Sequence, residues 1–317
     1  MNKKHIVVVG LGGVGGYFGF KINQINETTG KYTVSFVARG ETYEKVKENG
    51  LILLSPEHSN SQTYPNAIVQ NINEIENPDL VLIGVKEYDL ENVCKQLLPT
   101  LNKDTILLPM MNGADIYDRI RTIIPDHTVL PTCVYVASHI KERGTVEHKG
   151  NAGKIIVGRD PEHFAAPVEW VTDVLSESKI EFEFKDNSLN AIWTKFIFIA
   201  SFGLVTAKHN SSMGAVCSDV QQKNEAAGIM KEIQLIAVKK GIELQEDIVS
   251  ATFEKASTFP FETPTSLQLD INSGKKENEL ELFAGAVLKY GSEVGVETLF
   301  TQKIYTEIKT KLLAKAE

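Results

Sequence analysis

A chain of 317 residues has room for two domains of about 150 residues each, and its 42% hydrophobic content supplies apolar cores for both. Thirty-three Lys and Arg against 41 Asp and Glu leave a net charge of −8, so no overall positive field draws the chain to nucleic acid or an anionic membrane. Cys94, Cys133 and Cys217 are odd in number and widely spaced, and the seven histidines are scattered singly. No disulfide framework or metal site is therefore expected, and the expected compartment is the reducing cytoplasm.

Two apolar segments could mislead. Lys3, Lys4 and His5 ahead of residues 6–20 have the outline of a signal peptide, but six glycines interrupt that stretch and no small-residue cleavage pattern follows. Residues 191–207 fall short of the roughly 20 needed to span a bilayer and carry a lysine in their first third. They read as a helix buried in protein.

In chain order, residues 6–9, 33–37, 80–84 and 105–108 read as buried strands, and 14–25, 42–48, 90–98 and 114–123 between them as helices. That alternation predicts a parallel sheet flanked by helices. Residues 128–137, 144–148 and 154–157 read as further strands, expected as an antiparallel edge of the same domain. From residue 161 onward the β signal fades. Apolar spacing of three and four then predicts helices over 186–207, 218–240, 247–256, 280–291 and 298–314. The expected division is an α/β domain over 1–160 and an all-helical domain over 161–317, with a cleft between them as the default site.

Gly10-Leu11-Gly12-Gly13-Val14-Gly15 is a G-x-G-x-x-G set directly after a buried strand and directly before a helix. The first glycine permits the tight turn, the second lets a pyrophosphate approach the backbone, and the third lets helix and strand pack. The helix N-terminus then faces the negative charge. At the end of the second strand an NAD site usually offers a carboxylate for the ribose hydroxyls, whereas this chain offers Arg39, whose charged fork suits a 2′-phosphate. Glu41, two residues on, leaves NAD open. Lys86 and Asn112 stand at the C-terminal ends of the third and fourth strands, where an open α/β sheet binds its ligands.

Lys195 interrupts the most apolar helix. It is either snorkelling, ion-paired or placed for proton transfer, since burial eases release of an ammonium proton. Glu279-Leu280-Glu281 opens a later helix, where a carboxylate either meets Lys195 or a substrate hydroxyl, or simply balances the helix dipole.

Taken in order, these residues resemble the ketopantoate reductase (2-dehydropantoate 2-reductase) family over nearly the whole chain. The likeness runs through residues 10–15 and Arg39, Val85-Lys86, Asn112-Gly113, residues 146–158, Trp193-Thr194-Lys195, Thr265-Ser266 and residues 279–285. It implies a Rossmann-type domain followed by a helical one, and NADPH-dependent reduction of ketopantoate to pantoate, a step of pantothenate biosynthesis. It makes Lys195 the proton donor and places Glu279 near cofactor and substrate, Ser266 on the substrate, Asn112 on both ligands and Lys86 on the cofactor. The Glu279 match requires one extra residue in the 272–277 loop; ungapped counting lands on Asn278.

Two positions depart from the family's pattern. Members that reduce ketopantoate carry asparagines four and eight residues after the lysine, and here these are Ile199 and Gly203. The resemblance thus leaves open a sister reductase of a less hydroxylated 2-oxo acid, and, from another class, a dinucleotide-binding sensor that has lost turnover. The expected partner is a small 2-oxo acid, not nucleic acid or membrane, and a homodimer is compatible with the sequence.

Overall fold

The computed structural model describes residues 3–56, 58–275 and 277–314. The chain divides into two compact units, one formed by Met1–Asn112 and Ile116–Ser188, the other by Gly113–Asp115 and Leu189–Glu317.

The first unit begins β1 (Lys4–Val9), α1 (Gly13–Thr29), β2 (Tyr32–Val37) and α2 (Gly40–Asn49), followed by β3 (Leu51–Ser55), β4 (His58–Thr63) and β5 (Ala67–Val69). It continues with β6 (Leu80–Ile83), α3 (Glu87–Leu97), β7 (Ile106–Pro109), α4 (Ile116–Ile123), β8 (Thr128–Val129) and β9 (Thr132–Tyr135). Last come β10 (Ser138–Glu142), β11 (Thr145–His148), β12 (Lys154–Gly158), α5 (Glu169–Glu177) and β13 (Glu181–Lys185).

Among the described residues these strands form three sheets. The largest has the order β5-β2-β1-β6-β7-β8 and is parallel throughout. Ile6, Val7, Val8 and Leu80 to Ile83 are almost wholly buried, as strands covered on both faces must be. The chain leaves β1 toward β2 on one side and later returns to β6 on the other, so the topological switch point lies at the C-terminal end of β1.

The segments expected as an antiparallel edge of this domain do lie in the first unit and include antiparallel pairs, β10 with β11 and β9 with β12, but they do not form one edge of the large sheet. Only β8 joins it, and in parallel. β10 and β11 form a hairpin whose second strand pairs in parallel with β3 of the β3–β4 hairpin, and β9, β12 and β13 make a third sheet. The reason lies in α1, which buries Tyr17, Phe18, Phe20 and Ile22 and packs on β1 and β2 as well as on β3, β10 and β11. A helix apolar on so many sides needs a second layer, and the four-stranded sheet provides it.

The first unit also runs past the expected boundary at residue 160. β13 pairs in parallel with β12 across the α5 crossover, and Val171, Val174 and Leu175 of α5 share the core of Ile6, Val8 and Phe18. This βαβ element cannot be separated from the unit whose core it closes.

The second unit contains α6 (Leu189–His209), α7 (Met213–Ser218), α8 (Val220–Lys239), α9 (Ile248–Ala256) and α10 (Ser266–Asn272), then a π-helical turn at Glu281–Gly285 leading into α11 (Ala286–Val294), and α12 (Leu299–Ala314). α6 is long and apolar enough to cross a membrane by length and composition, but 67% of its most apolar window is buried in the protein. It is the axial helix of the bundle, packing on α8, α10, α12 and the π turn. Its end is tied by Lys208, which reaches Glu225 of α8 at 2.8 Å and Glu307 of α12 at 2.9 Å.

Candidate active site

β1 ends at Val9 and the chain turns through Gly10, whose φ of +90° is a left-handed conformation that glycine adopts without strain. The turn is pinned by Gly10 N–H donating to the Val37 carbonyl at 3.0 Å and Gly84 N–H donating to the Val9 carbonyl at 2.8 Å. A Cβ on Gly10 would stand 2.7 Å from the Gly84 oxygen and 2.8 Å from Val85 Cγ1. On Gly15 it would collide with the Gly10 carbonyl, and on Gly13 with that of Ser138 in β10. Gly12 differs, because a Cβ there would meet only the Gly84 oxygen at an ordinary 3.8 Å. Gly12 is the N-cap of α1, in extended conformation and with no side chain to cap the helix. The N–H groups of the first helical turn have no intrahelical acceptors, so the start of α1 is built to meet an anion.

A cleft of about 510 Å³ opens over this loop. Gly10, Leu11 and Gly12 form part of its wall together with Arg39, Lys86 and the loop between them and the sheet. Leu11 and Val14 also belong to the core, Leu11 buried and Val14 packed against it. Arg39 is the N-cap of α2 at the end of β2, and Lys86 is the N-cap of α3 after β6. Both strand ends flank β1, which is why residues 47 apart in sequence share one cleft. Residues 10–12 and Arg39 thus line one cleft at a helix N-terminus, with a guanidinium at the neighbouring strand end, whereas Gly13, Val14 and Gly15 are not part of its lining.

Two ion pairs line the cleft. Arg39 Nη2 lies 2.8 Å from Asp89 Oδ2, and Arg143 Nε lies 4.0 Å from Glu41 Oε2. Sequence reading missed both Asp89 and Arg143. Asp89 had a signal, since it lies one helical turn beyond a strand end already assigned to the ligand crevice. Arg143 had none, because it belongs to the β10–β11 turn, and only the unexpected second sheet brings that turn to the cleft. Asn112 is half-buried beyond β7, ahead of Gly113 at φ +122°, and is not part of the lining of this cleft.

In the second unit, Lys195 lies in the second turn of α6 between buried Trp193 and Phe196, yet is itself only half-buried. Partial burial of this kind is compatible with each of the three readings, a snorkelling, an ion-paired or a proton-donating lysine. Ile199, one turn on, is likewise half-buried. Gly203 is buried, and a Cβ there would touch Leu267 Cβ and Phe283 Cδ2, each at 3.8 Å. Ser201 is buried and donates its hydroxyl proton to the Ile197 carbonyl at 2.6 Å.

Ser266 is exposed at the start of α10, behind a capping box in which Thr265 and Gln268 satisfy each other's backbone. Thr265 Oγ1 is 2.7 Å from Thr206 Oγ1 of α6, which fixes that helix start against the helix carrying Lys195. Glu279 is 6% exposed, two residues ahead of the π turn that packs on α6. Asn278 caps this segment, its side-chain oxygen accepting from Leu280 N–H at 3.1 Å. Glu281, by contrast, is engaged at the surface by Tyr305 at 2.6 Å and Lys309 at 2.9 Å. Of the Glu-Leu-Glu pair, the first carboxylate is interior and the second an ordinary surface partner.

Residues 6–162 match the model of "Ketopantoate reductase PanE/ApbA" and residues 187–312 that of its C-terminal domain. Among curated proteins, the chain is 23% identical over 269 residues to the uncharacterized oxidoreductase YkpB of Bacillus subtilis, covering 85% of this chain and 86% of that one. It is 21% identical to the 2-dehydropantoate 2-reductase of Streptococcus pyogenes, covering 94% and 95%. Among solved structures, a PanE/ApbA family ketopantoate reductase from Ralstonia eutropha superposes with a TM-score of 0.87 at 21% identity, covering 99% of this chain and 100% of the other. A D-mandelate dehydrogenase in ternary complex with NADH and anilino(oxo)acetate superposes with a TM-score of 0.82 at 22% identity, covering 98% and 99%. The chain belongs to the ketopantoate reductase PanE/ApbA family, a family of oxidoreductases that use NAD(P)H.

Proposed function

We propose that the protein is a cytoplasmic, NADPH-dependent reductase of a 2-oxo acid, with the reduction of ketopantoate to pantoate as its reaction. The observation that carries this reading is the convergence of the glycine loop, Arg39 and Lys86 on one cleft at the switch point of the parallel sheet. The open approach at Gly12 suits a pyrophosphate over the start of α1, and the guanidinium of Arg39 suits a 2′-phosphate. When bound, NADPH supplies the hydride that reduces the keto carbon.

The chain's own part is to orient the two reactants and deliver the proton. Lys195 gives a proton from its ammonium to the carbonyl oxygen as that oxygen becomes an alkoxide, so that C=O gains one hydride and one proton. Its partial exposure supports this role, because a donor left as a neutral amine is reloaded from water after each turnover. Glu279, interior and next to a segment packed on α6, is assigned to the substrate or cofactor in preference to Asn278, whose oxygen is already committed to capping. Asn112 and Ser266 are assigned to the substrate, and Asn112 and Lys86 to the cofactor, by their match to the family's motifs.

One observation favours a second substrate. Ile199 presents a hydrocarbon side chain one turn from Lys195, and Gly203 faces Leu267 and Phe283. A 2-oxo acid without ketopantoate's hydroxyl leaves no buried polar group unpaired against such a wall. The test of the catalytic assignment is Lys195→Ala. Its kcat should fall about 10²- to 10⁴-fold, the usual contribution of a general acid, while NADPH affinity is retained. Near-normal turnover would return Lys195 to a snorkelling surface residue.

A further inference from the structure

We infer that Asp89 sets how strongly this cleft discriminates between NADPH and NADH, by competing with a 2′-phosphate for Arg39. The inference rests on the reading of the cleft as a dinucleotide site. Asp89 lies in the first turn of α3, with its N–H bonded to the Lys86 carbonyl at 3.0 Å. Its carboxylate is the more fixed partner of the pair, 26% exposed against 71% for the Arg39 side chain. Arg39 therefore reaches across from the end of β2 to a carboxylate held on a helix. The 2.8 Å contact occupies Nη2, one of the donors that a phosphate would use.

The carboxylate acts in opposite directions on the two cofactors. A 2′-phosphate must take Arg39 from Asp89 and then sit near a residual negative charge, and like charges a few ångströms apart repel appreciably even when partly screened. A mostly exposed ion pair is weak enough to be displaced, so Asp89 lowers NADPH affinity without abolishing it. A neutral 2′-hydroxyl meets no repulsion and finds in Asp89 the kind of acceptor that NAD sites place beside the ribose. The other charges lining the cleft, Lys86, Arg143 and Glu41, leave only a small positive surplus, so loss of one carboxylate raises it substantially.

The test is equilibrium binding of NADPH and of NADH to the full-length protein and to Asp89→Asn and Asp89→Ser, with 2′-AMP and 5′-AMP as competitors that isolate the phosphate. Both variants should bind NADPH and 2′-AMP about 5- to 20-fold more tightly, and bind NADH equally or more weakly. A general effect on the fold would not move the two cofactors apart. Unchanged or weakened NADPH binding in both variants, or equal shifts for both cofactors, would overturn the role of Asp89 alone. A wild-type protein that binds neither dinucleotide would overturn the cofactor reading with it.

Discussion

Alanine at Gly12 and at Gly10, introduced separately, distinguishes a phosphate cradle from a tight turn that merely happens to be rich in glycine. At Gly12 the backbone has φ −72° and ψ −170°, open to any residue, and the new methyl meets nothing nearer than the Gly84 oxygen at 3.8 Å. The fold should lose no more than about 1 kcal/mol, the difference between glycine and alanine at an N-cap. The methyl projects from a wall of the cleft, where a pyrophosphate would rest on the backbone. Displacing charge-assisted hydrogen bonds there costs about 1.5 to 3 kcal/mol, or roughly 10- to 150-fold in NADPH affinity. At Gly10 the same methyl is forced to φ +90° and to 2.7 Å from a carbonyl oxygen. Left-handed strain of about 1 to 2 kcal/mol then adds to about 1 to 3 kcal/mol of overpacking. Thermal unfolding and NADPH titration of both variants give the comparison. Gly12→Ala with undiminished NADPH affinity and unaltered stability would refute the cradle. Gly10→Ala as stable as the wild type would refute the packing argument.

Three further outcomes are expected. Arg39→Ala should weaken NADPH about 10- to 150-fold through loss of charge-assisted bonds while leaving NADH nearly untouched; equal losses in parallel titrations would remove the 2′-phosphate assignment. Asp160 is fully buried and receives Arg121 at 2.5 Å, Tyr117 at 2.6 Å and Val129 N–H at 2.7 Å, so Asp160→Asn should cost about 3 kcal/mol by leaving a buried guanidinium with only the exposed Glu162, 3.6 Å from its Nε, as counter-charge. Burial pushes the Asp160 carboxyl up, but the hydrogen bonds from Tyr117, Val129, Glu162 and His163 together hold it below the usual carboxylate range. A lowered folded-state value stabilises above the unfolded value and is lost as pH falls through the folded one, so chemical denaturation should show this contribution fading below about pH 4 in the wild type and absent from the variant. Ile199→Asn should raise kcat/KM for ketopantoate relative to 2-oxoisovalerate about 5- to 150-fold, the worth of one buried hydroxyl regaining a partner. Position 203 is best left alone, since an amide there would be pressed against Leu267 and Phe283, which a Cβ alone already touches. A wild type already selective for ketopantoate, and unmoved by the substitution, would show that groups other than residue 199 hold the hydroxyl; Ser201 is a poor candidate with its proton given to Ile197.

The centre of the parallel sheet was legible because β1, β6 and β7 carry continuous apolar runs, and α6 because its apolar residues are so dense. β3, β4 and β5 were not, since residues 51–69 mix polar and apolar side chains with no sustained period. Their place becomes evident only once α1 is seen to need cover on its far side. The tight packing of Gly13 against Ser138 shows the cost of reading a motif through its ligand alone: that glycine answers to a neighbouring strand rather than to a phosphate. β13 and α5 were missed because a short βαβ crossover after a proline-containing loop looks like the opening of a new domain. In the cleft, residues 10–12, Arg39 and Lys86 were legible from position at strand ends. The carboxylate paired with Arg39 was legible only as a residue near a strand end; its pairing was not, because that depends on which neighbour a long side chain chooses.

The central claim is that these two units reduce a 2-oxo acid with a hydride from NADPH and a proton from Lys195. Steady-state oxidation of NADPH by the wild-type protein over ketopantoate, 2-oxoisovalerate and other small 2-oxo acids tests it most directly. At least one of them should be turned over with a kcat/KM of about 10⁴ M⁻¹ s⁻¹ or more, within the ordinary enzymatic range, and NADH should serve less well. Tight NADPH binding without turnover of any 2-oxo acid would contradict the account and leave a protein that holds the cofactor without using it.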